Sequence, residues 1–199
     1  MNAQPPKSYD RVVKTIHWTS LVLVAAAYTI VWLAGAAATK EAKTALLTLH
    51  RSIGLTIFAV TLFRIAWYAR AAVPSLPADM SRVQKFAAHA TQTLLGALLL
   101  AQPVLGLVHS NARGVRVNFY FLGQLPAIVG ADPSLAKLAH TAHGAVANLL
   151  LMLIGLHAAA ALFHHFIRRD DVLKAMLPQR RPRQAVQRPP AFRAPSWRS

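Results

Sequence analysis

The stretch "HGAVANLLLMLIGLH" runs from His143 to His157. Two histidines bracket a nearly unbroken apolar run. On an α-helix, fourteen positions at ~100° each bring the second imidazole within about 40° of the first, and a 1.5 Å rise sets them ~21 Å apart. One helix face therefore carries two imidazoles at two depths. A lone histidine in an apolar helix is ordinarily a polar packing residue, whereas two at this separation need a further reason.

The chain has 199 residues, is 55% hydrophobic, and carries 22 Lys and Arg against 6 Asp and Glu. A soluble nucleic-acid binder would spread its cations over its elements. Here they sit between long apolar runs, the pattern of a membrane protein, and nucleic acid is not an expected partner. The absence of cysteine excludes disulfides, thiolate-held iron–sulfur clusters and covalent haem attachment through C-x-x-C-H. A metal cofactor must be held by His, Met or backbone groups.

Four apolar stretches can position such a cofactor: about 15–37, 46–69, 86–109 and 135–167. Each is long enough for the ~20 residues of a membrane helix. The first is too long for a signal peptide, and three more follow it. An all-α bundle of four membrane helices is expected over 1–178. The Pro- and Arg-rich segment 179–199 predicts a disordered tail drawn to anionic lipid.

Four spans put both termini on one side. Lys7, Arg11, Lys14, Arg64, Arg70, Arg82, Lys85, Arg168, Arg169, Lys174 and six later arginines share that side. Lys40, Lys43, Arg51, Arg113, Arg116 and Lys137 lie on the other. Sixteen cations against six place the termini and the tail in the cytoplasm by the positive-inside rule. The expected location is a membrane, with the termini on its cytoplasmic side. Trp18, Trp32, Trp67 and Tyr68 fall near span ends, as interfacial aromatics do.

This topology pairs the histidines by depth. Helix four begins outside, so His143 is outer and His157 inner. Helix one begins inside with His17 near its start, and helix two begins outside with His50 near its start. The pairs are His17 with His157 and His50 with His143. Two stacked, non-covalent b haems, each with its iron between two imidazoles, would account for all four residues. Gly54, Gly144, Ala147, Ala160 and Ala161 lie close in sequence to these ligands and leave room for a flat macrocycle. Arg51 can pair with an outer propionate or simply snorkel to the interface.

The other histidines do not join this set. His89 and His109 are 20 residues apart on helix three, about 160° apart in direction, and read as packing or interfacial residues. His140 reads as a polar neighbour or part of a surface metal site. His164 is seven residues beyond His157, on nearly the same face, and His165 reads as interfacial.

Several segments together resemble a known family. They are "YDRVVKTIHW", "LHRSIGLTIFAVTLFRIAW", "PVLGLVHSNARG", "AHGAVANLLLMLIGLHAAAALFHHF" and the late "MLP". They are similar to the bacterial cytochrome b561 family, in particular its superoxide:ubiquinone oxidoreductases, over about residues 8–178. The resemblance implies a four-helix bundle with two b haems on the four histidines. It also implies a quinone site near the inner haem. Arg11 and His164 carry over to that site, with Thr15 where close members have another small hydroxyl residue. Ala142 departs from the tryptophan that precedes the ligand histidine in close members, and the Arg-rich tail is unusual.

Two redox readings follow. In one, an outer donor such as superoxide gives electrons to the outer haem and ubiquinone accepts them at the inner one, while the six outer cations attract the anion. In the other, the chain is a cytochrome b anchor subunit whose partner is a dehydrogenase or hydrogenase. A non-redox transporter with structural histidines is disfavoured by the matched depths and by the near absence of membrane-buried acids.

Overall fold

The computed structural model describes residue 6 and residues 8–178. The expected tail over 179–199 lies outside the described residues.

Four long helices run antiparallel in sequence order. The first, α1, spans Arg11–Gly35, and Asp10 caps it by accepting from the Val13 amide at 2.8 Å. Val13, Ile16, Ser20, Val24 and Ala27 are buried, a three-to-four-residue spacing that turns one stripe inward. Helix α2 spans Lys40–Tyr68 and is capped by the Thr39 hydroxyl. Helix α3 spans Arg82–Ala112 and opens on a capping box between Ser81 and Gln84. Helix α4 spans Pro133–Phe163, with Asp132 accepting from the Ser134 and Leu135 amides. Pro133 sits at the first position, where a missing amide proton costs nothing.

The four apolar stretches are thus the cores of longer helices. The caps Asp10, Thr39, Ser81 and Asp132 are polar, so a hydropathy window stops short of them. All four helices are long and apolar enough to cross a membrane. Their outward faces expose large apolar side chains, among them Val22, Trp32, Phe86 and Leu156. Apolar surface on every helix suits lipid, because water would leave it uncompensated.

The end of the fourth stretch differs from a plain helix. A π-turn at His164–Arg168 follows Phe163. Arg169 then adopts a left-handed conformation, φ 56°, and the chain turns into the short helix α5, Val172–Met176.

Helix α1 packs on α2, α2 on α3 and α3 on α4. Val24, Ala27, Ile53 and Ile57 form a buried cluster between α1 and α2, with Leu99 of α3 and Ile154 of α4 against it. Val24 lies about two turns beyond His17, and Ile57 about two turns beyond His50. An apolar layer therefore separates the two histidine levels.

Polar contacts close both ends. At one end the Tyr9 amide and Ser8 hydroxyl donate to the Ala175 carbonyl at 3.2 and 3.1 Å. Trp18 Nε1 donates to the Met176 carbonyl at 3.1 Å, and Trp67 Nε1 to Asp10 at 3.1 Å. At the other end the fully buried Ser52 hydroxyl accepts from the Tyr120 amide at 2.8 Å and donates to the Asn118 carbonyl at 3.1 Å. Asn111 accepts from the Ile128 amide at 2.9 Å. These bonds tie the α3–α4 connection down over α2 and α3. Phe121 at its tip stays 94% exposed.

Candidate functional site

His50 on α2 and His143 on α4 face one another with ring centroids 6.3 Å apart. Each ring is oriented from behind. His50 Nδ1 lies 3.0 Å from the Ala27 carbonyl, and His143 Nδ1 lies 3.0 Å from the Gln102 carbonyl. A carbonyl only accepts, so Nδ1 carries the proton in both rings and each Nε2 is left with a free lone pair. The Gln102 side chain adds a bond from Nε2 to the His143 carbonyl at 3.0 Å. Gly106 lets α3 approach the His143 ring.

Both rings line a cavity of about 570 Å³ to which all four long helices contribute. Ala27, Gly54, Gly106, Gly144 and Ala147 are in its wall, and a Cβ at Gly54 or Gly144 would meet open space. Arg51 and Arg113 also line it, and Arg51 Nε donates to Ser110 Oγ at 3.1 Å. The arginine considered at the sequence level as a propionate partner or a snorkelling cation thus faces the cavity.

At the other level, His17 on α1 and His157 on α4 face one another at 6.2 Å. Trp18 meets the His17 ring edge-on at 5.3 Å. The structure therefore brings together both pairs that depth matching selects.

Arg11, Thr15 and His164 lie at the same end of the bundle as His17. Arg11 and Thr15 are exposed one turn apart on α1, and no hydrogen bond joins them to His164 among the described residues. His164 has a partner that sequence reading missed. Its Nδ1 lies 2.5 Å from Asp170 Oδ2, because the π-turn and the left-handed Arg169 fold Asp170 back. Arg168 pairs with both Asp170 and Asp79, which ties the α2–α3 connection to this turn. Burial pushes the Asp170 carboxyl up, but the His164 bond, the Val172 amide and the nearby Arg168 charge outweigh it and hold the group below the usual carboxylate range.

The chain matches the prokaryotic cytochrome b561 family over residues 8–179. It is 30% identical to the "Probable superoxide oxidase CybB" of Yersinia pestis, covering 88% of this chain and 98% of that protein. It is 27% identical to "Cytochrome b561 homolog 2" of Escherichia coli K12, over 86% and 92%. It is 30% identical to "Cytochrome b561 homolog 1" of the same strain, over 83% and 94%.

The chain belongs to the prokaryotic cytochrome b561 family.

Membership makes it a bacterial membrane protein of haem b electron transfer, and the cytochrome b561 cofactor can be tested against the two pairs. A metal–imidazole bond is about 2.0 Å, so two rings on opposite sides of one ion have centroids roughly 6 Å apart once the ring half-widths are added. Both pairs have that spacing, and the His50–His143 pair borders a cavity within the ~300–1,000 Å³ typical of cofactor sites. The donor set of neutral imidazole nitrogens suits haem iron.

The remaining histidines divide. His89 is exposed on α3, as an interfacial residue would be. His165 is half-buried, and its Nδ1 has no hydrogen-bond partner among the described residues. His109 and His140, which the sequence did not pair, meet at 4.9 Å between α3 and α4. Matching depths across the α3–α4 hairpin would have found them.

Proposed function

We propose that this cytochrome b561 holds two non-covalent b haems, one between His50 and His143 and one between His17 and His157, and moves electrons through the bacterial inner membrane from superoxide to ubiquinone. The observation that carries the reading is the two facing imidazole pairs at 6.3 and 6.2 Å, set on opposite sides of an apolar layer. Bound haem supplies reversible one-electron chemistry, which the protein tunes through ligands and burial.

The chain's own residues do the rest. Ala27 and Gln102 fix the outer rings through backbone carbonyls, which orients the ligands and raises their basicity. Arg51 and Arg113 are placed to neutralise propionates. The end bearing Arg11, Lys14, Arg64 and Arg168 faces the cytoplasm by its charge. At the opposite end Lys40, Lys43 and Arg116 are exposed and draw in a small anion.

Two superoxide anions each lose one electron and leave as dioxygen. One ubiquinone gains those two electrons and two protons. Arg11, Thr15 and His164 form the quinone site, with His164 as proton donor and Asp170 holding its ring. Similarity to a protein named superoxide oxidase supports the donor.

A second reading, a membrane-anchor subunit fed by a partner dehydrogenase or hydrogenase, is favoured by the exposed Phe121 and Leu122 on the outer connection. Stopped-flow mixing of the oxidised protein with superoxide, followed by ubiquinone, tests the choice. Fast haem reduction and then reoxidation supports the first reading; indifference to superoxide supports the second.

A further inference from the structure

We infer that His109 and His140 form a separate site for a divalent transition-metal ion of the zinc, copper or nickel class, at the outer end of α3 and α4. Neither residue belongs to the facing pairs described above. His109 lies one turn before the end of α3 and His140 about two turns into α4, so the hairpin brings them together on two rigid helices. Their centroids are 4.9 Å apart and their planes are tilted by 36°.

The facing pairs supply the yardstick. For one ion midway between rings 6.2 Å apart, each centroid would stand half that distance from it. Two rings at that radius and 4.9 Å apart subtend about 100°, between the right angle of square coordination and the tetrahedral angle. The spacing therefore suits adjacent ligands on one ion, where the haem pairs suit opposite ones.

Orientation agrees. His109 Nδ1 lies 3.0 Å from the Ala136 carbonyl. The carbonyl accepts, so the proton sits on Nδ1 and the Nε2 lone pair is free. This backing by a carbonyl is how metal-bound histidines are commonly held.

Both rings line an open surface pocket of about 520 Å³ together with Arg113, Lys137 and Pro133. Water has room there to complete the coordination. The cationic neighbours and the lack of a carboxylate in the lining among the described residues disfavour magnesium and calcium, which want oxygen ligands. Neutral imidazoles favour zinc, copper and nickel. Both rings also line the cavity at His50 and His143, so an ion held here stands in the wall between that cavity and the outside.

The test uses the full-length, haem-loaded protein with any purification tag removed. Titration calorimetry with Zn²⁺ is expected to show one ion per chain bound through this pair. His109→Gln and His140→Gln should each weaken it at least about tenfold, and the double variant should bind no more weakly than either single one, because losing one ligand already breaks the chelate. Electron paramagnetic resonance with Cu²⁺ should show coupling to two imidazole nitrogens in the wild type and lose it in either variant. His89→Gln should change neither readout, and an unaltered haem spectrum reports an intact fold. If His109→Gln fails to hold haem, His140→Gln, at an exposed position, decides alone. Zn²⁺ binding unchanged in both variants, or no binding up to millimolar ion with intact haem spectra, would overturn the site and leave two packed imidazoles.

Discussion

Gly106 of α3 lies so close to His143 of α4 that a Cβ there would stand 3.0 Å from Cε1 and 3.3 Å from Nδ1. The Nδ1 of the ring is held by the Gln102 carbonyl, one turn before Gly106 on α3, so retreating from a Cβ would cost that hydrogen bond. Gly106→Ala should therefore overpack the His50–His143 site, at a cost of about 1–3 kcal/mol. The variant is expected to lose or broaden the outer haem signal while the His17–His157 site stays unchanged. Redox-resolved visible spectra separate the two. Equal loss at both sites would mean that the glycine supports the bundle as a whole.

The histidine pairs were legible because one periodicity and one topology fix them. A fourteen-residue spacing sets two depths on α4, alternating helix directions bring His17 and His50 to those depths, and the roughly 160° between His89 and His109 on α3 sets that pair aside. The helix ends were less legible, since caps such as Asp10 and Thr39 work through single hydrogen bonds that hydropathy does not register. Asp170 was invisible as a partner of His164 because the contact depends on a π-turn and a left-handed Arg169. The role of Ser52 in holding the Asn118–Tyr120 backbone was not legible, because it is set by a connection 66 residues away.

His164 and Asp170 carry a prediction about the acceptor. His164→Ala should keep both haems but slow reoxidation by ubiquinone about 10²-fold or more, the scale of a lost general acid. Asp170→Asn should slow it less, because the ring remains but loses its orienting carboxylate. Single-turnover reoxidation measures both. Rates equal to wild type would move the quinone elsewhere.

The same pair has a pH signature. Asp170 is held below the usual carboxylate range, so its native pairing is favoured above its unfolded pKa and is lost only as pH falls through the lowered value. The difference in reoxidation rate between wild type and Asp170→Asn should accordingly persist through mildly acid pH and shrink below it. A difference that already vanishes above pH 6 would assign the effect to another group.

The outer cations predict a salt effect. Changing Lys40, Lys43 and Arg116 together to Gln should slow haem reduction by superoxide by roughly tenfold at low ionic strength. The gap should narrow as salt screens the wild type, since the Debye length falls to ~10 Å at 0.1 M. A rate insensitive to both charge and salt would favour a protein donor.

Haem stoichiometry tests the central claim most directly. A pyridine haemochrome assay on purified protein should give two b haems per chain. His17→Ala or His157→Ala should leave one, with the outer spectrum retained; His50→Ala or His143→Ala should leave the inner one. A single haem in folded wild-type protein, or a ligand variant that keeps both, would contradict the paired arrangement.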